Sequence, residues 1–274
     1  MKSLRYRLAQ LASLPTQFRH YENPVIMLLL RLGLLRLRLF PFVLRTPGGS
    51  VTMLGRPATR SLADQFTLRE VFIDEVYRDI LALLPARPLR IVDAGANIGA
   101  FSVWIGRQRP VKQIACFEPE QSSLRLLRAN LGWHACPAEI FPMALGAHAR
   151  TIQLRPNADH PAATNIYAKP KDAREAPAQE VQVLAFRDWL LTQPGDFDLL
   201  KLDCECAEWE IMEGLTAAEL GRFRVVVIEV HLDLRDESRP VESFRHLMES
   251  RGCETIRWDG HAHGLYIGRT RTNP

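Results

Sequence analysis

The sequence predicts an α/β protein built on a mostly parallel seven-stranded sheet, with a terminal antiparallel hairpin and a helical N-terminal extension. Three observations predict it. Between positions 89 and 130, two short apolar runs alternate with two helical stretches, which implies parallel strands joined by right-handed crossovers. Residues 225–230 are nearly all β-branched, as a central strand covered on both faces requires. Near the end, Asp259-Gly260 lies between two apolar runs, a hairpin signal.

The 274 residues are 47% hydrophobic and 24% charged, an ordinary globular mixture with enough chain for one large core and an appendage. A net charge of +4 does not indicate a whole-molecule nucleic-acid footprint, and no nucleic-acid partner is expected. The charge is uneven. Residues 1–50 carry Lys2, Arg5, Arg7, Arg19, Arg31, Arg36, Arg38 and Arg45 against Glu22 alone, a net +7 that leaves −3 on the remainder. A basic, leucine-rich N-terminus on a mildly acidic body points to peripheral contact with an anionic membrane through residues 1–45; the simpler alternative is a solvated helix face. The apolar run 25–30 meets Arg31, Arg36, Arg38 and Pro41, far short of the roughly 20 apolar residues a span needs. The first ten residues are basic, but Pro15, Gln17 and Arg19 interrupt the stretch after them, so no secretory signal is read. Five scattered cysteines form no disulfide framework, and a cytoplasmic location, peripheral at most to the inner membrane surface, is the expectation.

Along the chain, residues 1–50 read as a basic helical extension, 51–87 as a hairpin and helix leading into the core, and 88–274 as the main domain. Arg36-Leu37-Arg38-Leu39 alternates like a strand, Pro47-Gly48-Gly49 is a turn, and 51–54 is the returning strand. Residues 61–83 place Leu68, Val71, Phe72, Val76 and Ile80 at helical spacing. Strands come next at 89–92 and 113–117, with helices at 100–107 and from Pro119 through Asn130. Further strands are expected at 140–143, 199–202, 225–230, 254–258 and 265–268. Residues 155–180 read as a long loop over the sheet, a lid.

The chemistry starts at Asp93-Ala94-Gly95-Ala96-Asn97-Ile98-Gly99, a strand running through a glycine turn into a helix. Gly95 permits a sharp turn and close ligand approach; Gly99 lets helix and strand pack. Asp93 at the strand end would repel a pyrophosphate but attract a cationic ligand, and Asn97 breaks the dinucleotide G-x-G-x-x-G fingerprint. Glu118 ends the next strand, about 20 residues on, where an acid accepts hydrogen bonds from ribose hydroxyls. Pro119 forces the chain to turn there.

Next, Lys201-Leu202-Asp203-Cys204-Glu205-Cys206-Ala207-Glu208 closes a strand and opens a helix. The helix dipole by itself favours acids at that point, and for Glu208 this reading weighs equally with a functional one. Asp203 and Glu205 are expected on the ligand side of the sheet. Cys204-x-Cys206 lacks a second close pair and is no zinc site; no metal ligand set is read from the sequence. Finally, Glu229 and His231 share strand parity at the end of the β-branched run. A partnered structural Glu and an edge His are the alternative there.

These segments together resemble the FkbM family of methyltransferases over about residues 43–268. The likeness rests on residues 93–99 with Phe101-Ser102, Phe117-Glu118-Pro119, Asn130, Met143-Ala144, the 201–208 segment and Ile228-Glu229-Val230-His231. The resemblance implies a Rossmann-like methyltransferase fold and methyl transfer from S-adenosylmethionine, commonly to a hydroxyl of a sugar, polyketide or related metabolite. Carried onto this chain, it implies a cofactor site of Asp93, Gly95, Ala96, Asn97, Gly99, Glu118, Pro119, Ala144 and Asp203. It also implies a glycine where this chain has Cys206. An acceptor hydroxyl must lose its proton, so a general base is expected. His231 is the first candidate, as neutral imidazole near pH 7; Glu205 is second, and Glu229 orients His231 or holds the small-molecule or glycan acceptor. Two other classes compete: a nicotinamide-dependent oxidoreductase, and a catalytically silent membrane-surface protein on the same fold.

Overall fold

The computed structural model describes residues 19–32, 34–35, 37–57, 63–154 and 178–270. The expected helices within 1–18, Arg36, Ser61 and most of the 155–180 lid lie outside the described residues. The chain divides into two compact units, Met1–Val76 and Tyr77–Pro274. The boundaries read from the sequence, after 50 and after 87, differ: the first cuts a hairpin, and the second falls inside the larger unit.

In the first unit, β1 (Phe40–Thr46) and β2 (Gly49–Gly55) pair antiparallel, with Thr46 opposite Gly49 and Phe42 opposite Met53. The expected strand at 36–39 is therefore displaced. The two-residue turn Pro47-Gly48 fixes the register, so the partner of β2 must run directly into that turn. Phe40, Phe42 and Leu44 then alternate inward. Met27 and Leu30 of α1 (Pro24–Leu32) and Leu68 of α2 (Ala63–Phe72) are buried as well. The helix expected over 61–83 is not continuous. After α2 the helix breaks, with Glu75 at φ +47°, and a short 3-10 helix occupies Arg78–Ala82.

In the larger unit, seven strands form one sheet: β3 (Leu89–Ala94), β4 (Val111–Phe117), β5 (Ala138–Phe141), β9 (Phe197–Leu202), β10 (Phe223–Val230), β11 (Cys253–Trp258) and β12 (Gly264–Thr270). Their order is β11-β12-β10-β9-β3-β4-β5. Pairings from β10 to β5 are parallel; β12 runs antiparallel to β10, and β11 to β12. This is the expected α/β methyltransferase sheet. The crossover helices are α3 (Ala100–Gln108), α4 (Gln121–Trp133), α5 (Phe186–Thr192), α6 (Glu208–Glu213), α7 (Ala217–Leu220) and α8 (Glu242–Ser250). Every residue of β9 is buried, as in a strand covered on both faces. A core of Phe117, Trp189, Phe186, Phe197 and Phe223 interlocks by edge and stacked ring contacts.

A second sheet was not foreseen. β6 (Ala144–Gly146), β7 (Arg150–Leu154) and β8 (Gln179–Ala185) align in the order β6-β8-β7. Its strands are short and flank the long 155–177 insertion, so no turn signal joins them in the sequence. The terminal hairpin is present, but five residues separate its strands, and Asp259 accepts the Leu265 N–H across that loop.

Candidate active site

The glycine turn between β3 and α3 is held from two sides. The N–H groups of Gly95 and Ala96 both donate to the Phe117 carbonyl at the end of β4, at 3.0 and 2.9 Å. On the other side, the Asp203 N–H donates to the Ala94 carbonyl at 3.1 Å. Gly95 has φ +73°, and a Cβ there would lie 1.7 Å from the Asp203 carbonyl oxygen, so only glycine fits. Gly99, at φ +85°, begins α3, where a Cβ would stand 3.0 Å from Leu127 of α4. Asn97 also takes the left-handed region, at φ +49°, which asparagine tolerates better than most residues.

Glu118 stands at the rim of this turn and is only 6% exposed. One carboxylate oxygen accepts the Asn97 N–H at 2.8 Å; the other accepts the Glu120 N–H at 2.7 Å. Burial pushes its pKa up to about 7, against the pull of these two hydrogen bonds. Pro119 comes next, half-buried, and Glu120 caps α4 by accepting from the Ser122 and Ser123 N–H groups.

Asp93 is wholly buried. It accepts the Ser102 hydroxyl at 2.6 Å, and its other oxygen lies 3.5 Å from the Lys201 ammonium. Burial raises its pKa against the opposing influence of Lys201 and Ser102. Lys201, in turn, donates to the Gly95 carbonyl at 2.8 Å and to Asp203 at 3.4 Å. Burial disfavours its charge most, yet Asp203 and Asp93 together outweigh that and hold its pKa well above the ordinary lysine range. Lys201 stands in the 201–208 motif, but sequence reasoning gave it no role. The signal was there: a lysine in an otherwise apolar strand must have a buried partner.

Beside the turn, at the ends of β9 and β10, the structure gathers Asp203, Glu205, Glu208, Glu229 and His231. The His231 imidazole is 2% exposed, with Nδ1 3.3 Å from Glu208 and Nε2 3.5 Å from Glu205 and 3.9 Å from Glu229. Its carbonyl accepts the Trp209 indole N–H at 2.8 Å, and the His263 ring stands edge-on to it. Among the described residues, neither Nδ1 of His231 nor the second oxygen of Glu208 has a hydrogen-bond partner. The neutral imidazole expected near pH 7 is not what this environment favours. Burial works against its charge, but Glu208, Asp203 and Glu205 prevail and hold the proton well above the ordinary histidine range. Burial and then Asp203 raise Glu205, which His231 opposes.

Glu205 and Cys206 are consecutive left-handed residues, at φ +49° and +81°. The second value accounts for glycine being the residue the resemblance implies there. The five cysteines are free, and burial raises the Cys206 thiol to about 12, which disfavours its thiolate. Ala144 sits in the small sheet, buried and opposite Val183. Two sets of ligand atoms lie within 4.8 Å of one another and could hold a cation: Asp203, Glu205 and His231, or Glu229, His231 and His263.

A seven-stranded sheet of this order, with its glycine turn and acid rim at the carboxyl ends of the strands, is the α/β methyltransferase fold. The chain belongs to the FkbM methyltransferase family, whose domain matches residues 93–253. It is 27% identical over 219 residues to Methyltransferase 1 of Beauveria bassiana, covering 73% of this chain and 85% of that one. It is 29% identical over 196 residues to the 31-O-demethyl-FK506 methyltransferase FkbM of Streptomyces tacrolimicus, covering 61% and 74%. It is also 29% identical over 238 residues to the AMB antimetabolite synthetase AmbE of Pseudomonas aeruginosa, matching 73% of this chain but only 11% of that protein. Among solved structures, a methyltransferase FkbM from Methylobacillus flagellatus KT aligns with a TM-score of 0.45 at 13% identity, over 66% of this chain and 43% of that one. Among the described residues, no helix is long and apolar enough to cross a membrane.

Proposed function

We propose that the protein transfers a methyl group from S-adenosylmethionine to a hydroxyl of a small-molecule or glycan acceptor. Glu118 carries this reading. A carboxylate offers about four lone-pair directions, and the Asn97 and Glu120 N–H groups use two. Two remain for a pair of ribose hydroxyls, beside a turn with no room for a Cβ at Gly95. Gly95, Ala96, Asn97 and Gly99 would hold the ligand along the main chain, Glu118 and Pro119 at the rim, and Asp203, 26% exposed, at its ammonium group. Asp93 serves from beneath, through Lys201. When bound, S-adenosylmethionine supplies an electrophilic methyl on a cationic sulfur.

The acceptor hydroxyl must give up its proton. Asp203 pairs with Lys201; Glu205 and Glu229 are the other half-buried carboxylates of the cluster, 23% and 33% exposed, while His231 is 2% exposed. Glu205 therefore takes the proton in this reading, and His231 positions it. The Streptomyces relative is named for a 31-O-demethyl compound, which supports an oxygen acceptor. The test is transfer of labelled methyl from S-adenosylmethionine into fractionated metabolites. Glu205→Gln should lower turnover by roughly 10²–10⁴-fold, the range for loss of a general base. Full turnover in that variant removes Glu205 from the role.

A further inference from the structure

We propose that the first unit carries a docking surface for an anionic lipid bilayer, formed by Val25 and Ile26 of α1 and by Leu34, Leu35, Leu37 and Leu39 after it. Eleven large hydrophobic side chains are exposed among the described residues, and six of them fall between positions 25 and 39: Val25, Ile26, Leu34, Leu35, Leu37 and Leu39. The other five are spread singly over the chain, which is ordinary for a protein surface. The cluster has a structural cause. α1 reads Pro-Val-Ile-Met-Leu-Leu-Leu-Arg-Leu, with apolar residues at its first seven positions. Only one face can pack on the core, and Met27 and Leu30 do so at 0% and 2% exposure, leaving Val25 and Ile26 at 55% and 41%. The chain after α1 continues the pattern, with Leu34 at 72%.

Charge decides what covers this surface. Arg19 and Arg38 are exposed, Arg31, Arg36 and Arg38 fall within the apolar cluster in sequence, and residues 1–50 carry a net +7. A second copy docking through the same patch would set that charge against itself. A bilayer rich in anionic headgroups accepts both features at once: leucines enter the acyl boundary while arginines lie at phosphate level.

The test is co-sedimentation of the full chain with vesicles of phosphatidylcholine alone and with about one-third phosphatidylserine, at low and high salt. Binding should be at least about tenfold tighter to the anionic vesicles and should fall as salt rises. Leu34→Asp with Leu37→Asp, and separately Val25→Asp with Ile26→Asp, should each weaken it by roughly tenfold or more. Arg19→Glu with Arg38→Glu should weaken it several-fold and flatten the salt dependence. All six positions are exposed, so unchanged thermal transitions will show that the variants fold. Equal affinity for the two vesicles, no binding at low salt, or undiminished binding by the leucine variant overturns the proposal. So does self-association in analytical ultracentrifugation that the leucine variant abolishes, since the patch then belongs to a second copy.

Discussion

Lys201 donates to the Gly95 carbonyl at 2.8 Å, so a buried ammonium on β9 anchors the glycine turn that leaves β3. The same ammonium stands between Asp93 and Asp203, at 3.5 and 3.4 Å. Removing it leaves one fully buried carboxylate and one half-buried carboxylate without their cation. Lys201→Met should therefore destabilise the protein by about 3 kcal/mol or more, and weaken S-adenosylhomocysteine binding in whatever still folds. Chemical denaturation measures the first effect; a variant as stable as the parent would show that the turn does not depend on Lys201.

Gly95 and Gly99 both occupy left-handed backbone, but their surroundings differ. At Gly95 a methyl meets the Asp203 main-chain oxygen at 1.7 Å; at Gly99 it meets the flexible end of Leu127 at 3.0 Å. Gly95→Ala should lower the thermal midpoint much further than Gly99→Ala and abolish ligand binding. Equal shifts would mean that the turn relaxes freely away from β9.

Cys206 at φ +81° holds a conformation that costs a residue with a Cβ about 1–3 kcal/mol. Cys206→Gly removes that strain and loses a small buried side chain, so its stability should match or exceed the parent. Cys206→Val, branched at Cβ, should fall below both. Denaturant midpoints rank the three proteins; valine above glycine would refute the strain.

Stability should also report on Glu118. Its folded pKa of about 7 lies above the ordinary 4.5, so ionisation disfavours the folded state. That contribution is fully present below about pH 4.5 and is lost as pH rises through 7, with a ceiling of about 3 kcal/mol. Glu118→Gln cannot ionise. Relative to the parent, it should gain stability steadily between pH 5 and 8, read from melting curves across that range; a constant difference would mean that burial does not hold the Glu118 proton.

Much of this was legible because the core of the fold is written locally. The strand, the glycine turn and the helix after it are contiguous, as are β10 and its closing Glu229 and His231. Partners were less legible. That Asp93 faces Lys201 depends on β3 and β9 lying in register, and that Glu208 backs His231 depends on where α6 packs against the end of β10; no short spacing encodes either. The break in the helix expected over 61–83 was not legible because apolar periodicity does not register a left-handed Glu75. The sheet of β6, β7 and β8 was missed because its strands are short and flank a long insertion.

The central claim is that the turn from Asp93 to Gly99, with Glu118, binds S-adenosylmethionine, and that Glu205 and His231 act beyond that site. Calorimetric titration of S-adenosylhomocysteine into the full chain tests it most directly. The expected result is one saturable site, weakened by roughly 1–3 kcal/mol in Glu118→Ala and nearly unchanged in Glu205→Gln and His231→Ala, with no binding of NADH. Absence of binding, preference for NADH, or Glu118→Ala binding as tightly as the parent would contradict it.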